Sequence, residues 1–280
     1  MNPLVTPDEL AAELSAATPV LLDVRWRLGG PAARADCYGD YLAGHLPGAV
    51  FADLDADLAA AAGPAGRHPL PDPGRLQAAL RRWGVRERSR VVAYDGADMA
   101  AAARAWWVLR WAGIADVRVL DGGYRAWGEA GHGVTSDVPA PGPGDVVVRP
   151  GGMPVLDAEG AAALAGSGVL LDARAAPRYR GEVEPIDAVA GHIPGAVNVP
   201  AAGNLTDAGW MRPPADLRDR FARHGADGSG PVAAYCGSGI VAAQQVLALA
   251  VAGIPASLYP GSWSEWVEGG GRPVATGERP

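Results

Sequence analysis

The chain has 280 residues, 49% of them hydrophobic and 20% charged, which is enough apolar material for sizeable cores and excludes a disordered chain. A length of this order suits two compact domains better than one. The net charge is −7, every basic side chain is an arginine and no basic run occurs, so a nucleic-acid backbone is excluded as the main partner.

The opening "MNPLVTPDEL" has neither a basic segment nor a long apolar one, and no stretch is long enough to span a bilayer, so a cytoplasmic protein without a membrane partner is expected. Thr6 and Glu9 form a capping box, with Pro7 at the first helical position. Apolar runs at 20–24, 91–94 and 117–120 read as strands buried on both faces, with helical stretches between them. The stretch "VPAPGPGD" at 138–145 is too rich in Pro and Gly for a helix or a central strand and reads as a linker. Beyond it Asp157 is the expected N-cap of a helix, and apolar runs return at 169–171, 231–235 and 256–259.

The second half repeats the first. "VLLDVR" at 20–25 returns as "VLLDAR" at 169–174, "AGHLPGAV" at 43–50 as "AGHIPGAV" at 190–197, "VVAYD" at 91–95 as "VAAYC" at 232–236, and "LDGGYRAW" at 120–127 as "YPGSWSEW" at 259–266. Two copies of so long a unit indicate two similar globular domains, at 1–137 and 153–280, joined by a linker at 138–152. Strands alternating with helices give an α/β fold, each domain a small parallel sheet flanked by helices.

Of the two cysteines, Cys37 and Cys236, neither lies in a C-x-x-C or Cys/His spacing, so neither a zinc site nor a disulfide framework is indicated. Cys236 ends an apolar run and is followed by Gly237, Ser238 and Gly239 before a helix-forming stretch. In open parallel sheets reactive groups collect at the carboxyl ends of strands, where helix N-termini present free N–H groups. The two glycines let the backbone curl round the sulfur, so that main-chain donors and the helix dipole stabilise negative charge on it. Cys236 is therefore the candidate nucleophile, and Cys37, in "RADCYGD", a structural thiol. The first half carries Asp95 at the equivalent place, in the loop "DGADMA", and a carboxylate cannot do thiol chemistry; one active site per chain follows. His45 and His192, Asp23 and Asp172, and Arg25 and Arg174 occur in both halves, reactive and unreactive, and read as structural, the Asp and Arg as buried ion pairs.

These motifs, in this order and duplicated, resemble the tandem rhodanese-type sulfurtransferases, over nearly the whole chain. The resemblance implies two rhodanese-like domains and a double displacement: Cys236 takes a sulfane sulfur from a donor, holds it as a persulfide, and passes it to an acceptor, which is a small thiol, a thioredoxin-like protein or cyanide. No metal or organic cofactor is implied. Main-chain donors of Gly237, Gly239, Ile240 and Val241 would cradle the sulfur. Thiosulfate enzymes of this group usually carry an Arg-Lys pair after the cysteine, whereas Gly237-Ser238 stands here and resembles the 3-mercaptopyruvate enzymes; thiosulfate remains the alternative donor. Their Ser-His-Asp set maps onto Ser238, onto His68 in "RHPLP" (a "DHMLP"-like segment) and onto Asp55 in "FADLD", the last two assigned to the first domain. Arg178 in "PRYRG" matches the arginine that binds the donor's acidic group. The family's second arginine falls at Ile186, where this chain departs from the pattern, and whether Arg180 replaces it is left open by the sequence. Two other readings fit the sequence less well. A rhodanese-fold phosphatase needs a longer loop ending in an arginine, where Val241, Ala242 and Ala243 stand, and Cys236 itself argues against a non-enzymatic binding module.

Overall fold

The computed structural model describes residues 2–16, 19–96 and 98–280, and the chain divides into two compact units. The first comprises Met1–Ala60 and Leu70–Met153, the second Ala61–Pro69 and Pro154–Pro280.

In the first unit five parallel strands, β1 (Leu4–Val5), β2 (Val20–Asp23), β3 (Val50–Phe51), β4 (Arg90–Tyr94) and β5 (Asp116–Leu120), lie in the order β1-β5-β4-β2-β3. Helices α1 (Pro7–Ala16), α2 (Gly30–Ala43), α3 (Leu54–Asp57), α4 (Pro73–Arg82), α5 (Ala100–Trp111) and α6 (Gly123–Glu129) alternate with them. The capping box forms as the sequence indicates, with Thr6 N donating to Glu9 Oε2 at 2.9 Å and Glu9 N to Thr6 Oγ1 at 3.3 Å. Leu21, Val92, Leu120 and Trp127 close one core with Leu10 of α1. Residues 138–152 form no helix or strand and run against this unit, Gly144 N donating to Arg81 O and Arg149 N to Ala112 O, both at 2.8 Å.

The second unit repeats the sheet. β6 (Val169–Asp172), β7 (Val197–Asn198), β8 (Val232–Tyr235) and β9 (Ser257–Leu258) are parallel in the order β7-β6-β8-β9, matching β3-β2-β4-β5. A single parallel bridge, Val155 to Leu258, stands where β1 pairs with β5 in the first unit. Its helices are α7 (Ala158–Ser167), capped by Asp157 Oδ1 accepting from Gly160 N at 2.7 Å, α8 (Ala176–Tyr179), α9 (Pro214–Ala222), α10 (Ile240–Val251) and α11 (Ser262–Val267). Tyr235, Tyr259, Trp263 and Trp266 fill the core beneath α7. The polar residues of the buried α10 are satisfied internally, Asn204 Nδ2 donating to Gln245 Oε1 at 2.7 Å and Gln245 Nε2 to Val199 O at 3.2 Å.

The residues shared by both halves are structural. His45 Nδ1 lies 2.8 Å from Tyr41 O and His192 Nδ1 2.8 Å from Tyr179 O, each ring stacked on that tyrosine. Asp23 pairs with Arg25 at 2.8 Å and Asp172 with Arg174 at 2.6 Å, as the repeat suggests.

Candidate active site

Cys236 follows β8, and the chain turns at once into α10 through Gly237, Ser238 and Gly239. Gly239, the N-cap of α10, has φ +80° and lies so close to the backbone of Pro260 that a Cβ there would fall 2.4 Å from a carbonyl oxygen. The carbonyls of the loop are tied outward: Trp263 N donates to Cys236 O at 3.0 Å and Ser264 N to Gly237 O at 2.9 Å. The Gly239 amide faces the sulfur, donating to Cys236 Sγ at 3.1 Å. The cysteine is only 3% exposed, set at the foot of the helix N-terminus among polar groups. Ser262 fastens the cysteine from behind, its hydroxyl accepting from Cys236 N at 3.1 Å and donating to Tyr259 O at 2.8 Å.

The first unit shows what such a loop does with an anion. Met99, the N-cap of α5 at φ +59°, stands where Gly239 stands in the second unit. Asp95 Oδ1 accepts from Met99 N at 3.2 Å, and Asp95 Oδ2 accepts from Ala101 N and Ala102 N, both at 3.1 Å. A two-oxygen anion thus fills the bowl, its inner atom held by the N-cap amide and its outer atom by the second and third helical amides. Counting from the N-caps, the corresponding donors in the second unit are Gly239, Val241 and Ala242. Sγ already occupies the inner seat. Ala97 of the "DGADMA" loop lies outside the described residues.

His68 Nδ1 lies 2.8 Å from Ser238 Oγ, so these two expected partners meet. The sequence reading placed His68 in the first domain; it belongs to the second compact unit, because the segment Ala61–Pro69 packs there. Asp55 lies in the first unit, within α3, where its Oδ1 accepts from Trp26 Nε1 at 2.9 Å. Ile240 is buried and Val241 half-buried at the start of α10.

Arg178 lies over the loop, a Cβ built on Gly237 falling 3.5 Å from its Nη1. Its fork is engaged by Glu184, Nε donating at 3.0 Å and Nη2 at 2.6 Å, and Nη2 also donates to Asp187 Oδ2 at 3.2 Å. Burial alone would raise the Glu184 pKa, but Arg178 and the amides of Asp187 and Ile186 outweigh it and hold that carboxyl below its ordinary value. Arg180, whose part in replacing the second arginine the sequence leaves open, is held in an exposed pair with Glu182 at 2.8 Å, and Ile186 is 41% exposed. Arg67, Glu184 and Asp187 escaped the sequence reading. For Arg67 the available signal was a basic residue next to His68, where the "DHMLP"-like segment carries an acid.

Cys37 is buried in α2, and burial pushes its thiol pKa up, in keeping with an inert thiol. No helix among the described residues is long and apolar enough to cross a membrane.

The rhodanese-like domain model matches this chain twice, over residues 6–130 and 157–269. A putative thiosulfate sulfurtransferase of Mycobacterium tuberculosis is 49% identical, covering 98% of this chain and 97% of its own length. A probable 3-mercaptopyruvate sulfurtransferase of Pseudomonas aeruginosa is 47% identical, with 98% of each chain covered. Among solved structures, the 3-mercaptopyruvate enzyme of Escherichia coli superposes with a TM-score of 0.81 at 31% identity, covering 94% of this chain and 100% of that one. With both halves matched and relatives of such extent, the chain belongs to the rhodanese family, as a tandem-domain sulfurtransferase.

Proposed function

We propose that this enzyme takes sulfur from 3-mercaptopyruvate, holds it as a persulfide on Cys236 in the second half, and passes it to a thiol acceptor. The observation that carries the reading is the anion bowl: the Gly239 amide donates to Sγ as the Met99 amide donates to Asp95 Oδ1. Val241 and Ala242 then present the seat for an outer sulfur that Ala101 and Ala102 give to Asp95 Oδ2.

In the first half-reaction the Cys236 thiolate attacks the donor sulfur. A Cys–S to S bond forms, the donor's C–S bond breaks, and its electron pair leaves on carbon as the enolate of pyruvate. A proton converts the enolate to pyruvate, and in this reading Ser238 delivers it, which its contact with His68 Nδ1 supports. In the second half-reaction an acceptor thiolate attacks the outer sulfur, the S–S bond breaks, and the Cys236 thiolate is regenerated. A small thiol, a thioredoxin-like protein or cyanide each has the required nucleophile. Asp55 keeps the orienting role that the family resemblance implies for it. Both cysteines are free, which suits a reducing cytoplasm.

Charge favours mercaptopyruvate over thiosulfate. Beside the loop Arg67 and Arg178 are balanced by Glu184 and Asp187, a charge balance that suits a monoanion better than the thiosulfate dianion. Sulfite, moreover, leaves without needing a proton, so Ser238 would have no task with thiosulfate.

The test compares kcat/KM for the two donors in the parent enzyme, Ser238→Ala and Arg178→Ala. Mercaptopyruvate is expected to be preferred, with Ser238→Ala lowering its kcat by about 10²-fold and leaving thiosulfate turnover nearly intact. A preference for thiosulfate together with a silent Ser238→Ala would overturn the donor assignment and leave the enzyme class standing.

A further inference from the structure

Arg67 stands beside the reactive loop without a role in any sequence motif. Its backbone is fixed by the turn at 63–66, closed by Gly63 N donating to Gly66 O at 3.1 Å and Gly66 N to Gly63 O at 2.9 Å. Gly66, at φ +98°, lies so close to α11 that a Cβ would fall 2.7 Å from Gly261 O. Arg67 N then donates to Ser264 Oγ at 3.1 Å, and Ser264 N donates to Gly237 O, so the segment is fastened to the same turn that holds the cysteine loop.

The side chain is equally constrained. The Asp187 side chain is 5% exposed and bridges two guanidinium groups, its Oδ1 accepting from Arg67 Nη1 and its Oδ2 from Arg178 Nη2. Glu184 takes the Nε and Nη2 edge of Arg178. A Cβ built on Gly237 would lie 2.9 Å from Arg67 Nη2 and 3.5 and 3.6 Å from Arg178 Nη1 and Nη2, and of these Arg67 Nη2 and Arg178 Nη1 are not the atoms that hold Asp187 and Glu184. Two cations are thus held side by side over the residue that follows Cys236, with their inner edges occupied by carboxylates. A side chain at 237 would meet both guanidinium groups.

We infer that Arg67 is a donor-binding residue, supplying from the 61–69 segment the second arginine that is missing at position 186, and that Asp187 sets the spacing of the pair. The donor's carboxylate is seated across Arg67 Nη2 and Arg178 Nη1, which places its sulfur-bearing end toward Cys236. This assignment rests on the reading that an α-keto carboxylate loads Cys236.

The experiment uses two donors that differ only in the charge recognised: 3-mercaptopyruvate, and 1-mercaptopropan-2-one, which keeps the ketone and thiol and lacks the carboxylate. Sulfur loading of Cys236 is followed in single turnovers of the full chain. Arg67→Ala is expected to lower the second-order loading rate with 3-mercaptopyruvate by about 30–100-fold, mainly through weaker binding, and to change that of the neutral donor by less than about threefold. Arg67→Lys, which keeps the charge and loses the planar fork, is expected to reduce the preference for the carboxylate by about 5–10-fold, and serves if the alanine variant does not fold. A purely structural Arg67 would slow both donors alike, so an unchanged ratio in either variant overturns the assignment. Parent enzyme that gains no sulfur on Cys236 from 3-mercaptopyruvate would overturn the functional reading itself, which keeps the two failures distinct.

Discussion

Ser262 holds φ +55°, a left-handed conformation that costs a non-glycine residue about 1–2 kcal/mol. The first half has Gly123 at the same place, at φ +61°, where no such cost arises. In both halves the next residue donates its N–H to the loop, Tyr124 N to Asp95 O at 2.8 Å and Trp263 N to Cys236 O at 3.0 Å, so the backbone path is common and only the side chain differs. The serine hydroxyl supplies what the glycine cannot, an acceptor for Cys236 N. Relief of strain and loss of the hydroxyl's two hydrogen bonds, about 1 kcal/mol each, nearly cancel in Ser262→Gly, so stability by urea unfolding should stay within about 1 kcal/mol of the parent. Sulfur-loading rates should nevertheless fall, because the cysteine's backbone loses its anchor. A variant as active as the parent would show that the anchor is dispensable.

At the scale of elements, the two strand–loop–helix units β4–α5 and β8–α10 are the same device with different occupants. Among the described residues, the amides of Met99, Ala101 and Ala102 anchor the carboxylate of Asp95, and the amide of Gly239 anchors the thiol of Cys236. Asp95→Ala strips three buried N–H groups of their acceptor and should destabilise the protein by about 2–4 kcal/mol, measured as a shift in the urea midpoint. A shift below about 0.5 kcal/mol would mean that the bowl has no appreciable affinity for an anion. The longer strands were legible in the sequence because parallel strands buried on both faces read as unbroken apolar runs; the runs at 91–94 and 231–235 became β4 and β8. The two-residue strands β1, β3 and β7 were not, since so short a pairing leaves no pattern of its own and forms only when a neighbouring strand supplies the partner. The cysteine loop was legible because glycines on both sides of a serine have a backbone reason. The arginine pair was not: Arg67 and Asp187 are 120 positions apart and meet only through a tertiary turn.

For the whole molecule, the repeat disclosed two similar units of one fold, and the matched sheet orders follow from it. The repeat could not disclose that Ala61–Pro69 would pack with the second unit, because that excursion depends on close glycine packing at Gly66 and on no repeated motif. Stability should fall in acid. Arg118 holds Glu13 below its ordinary 4.5, and Arg178 with two backbone amides does the same for Glu184 against the opposing effect of burial. Both carboxyl groups bind protons more weakly in the folded protein than in the unfolded chain, so their stabilising effect is complete above about pH 4.5 and is lost as pH falls through their lowered folded values. Urea midpoints measured from pH 6 to pH 3, a range set by ordinary carboxylate titration, should show that fall, and Glu184→Gln should make it shallower. An identical slope in the variant would remove Glu184 from the account.

The most direct test of the central claim is the mass of the intact protein and of its cysteine peptides after incubation with 3-mercaptopyruvate. The account predicts a gain of about 32 Da on the peptide carrying Cys236, reversed by a thiol acceptor and absent in Cys236→Ser. Sulfur found on Cys37 instead, or sulfur transfer that persists at the parent rate in Cys236→Ala, would contradict it.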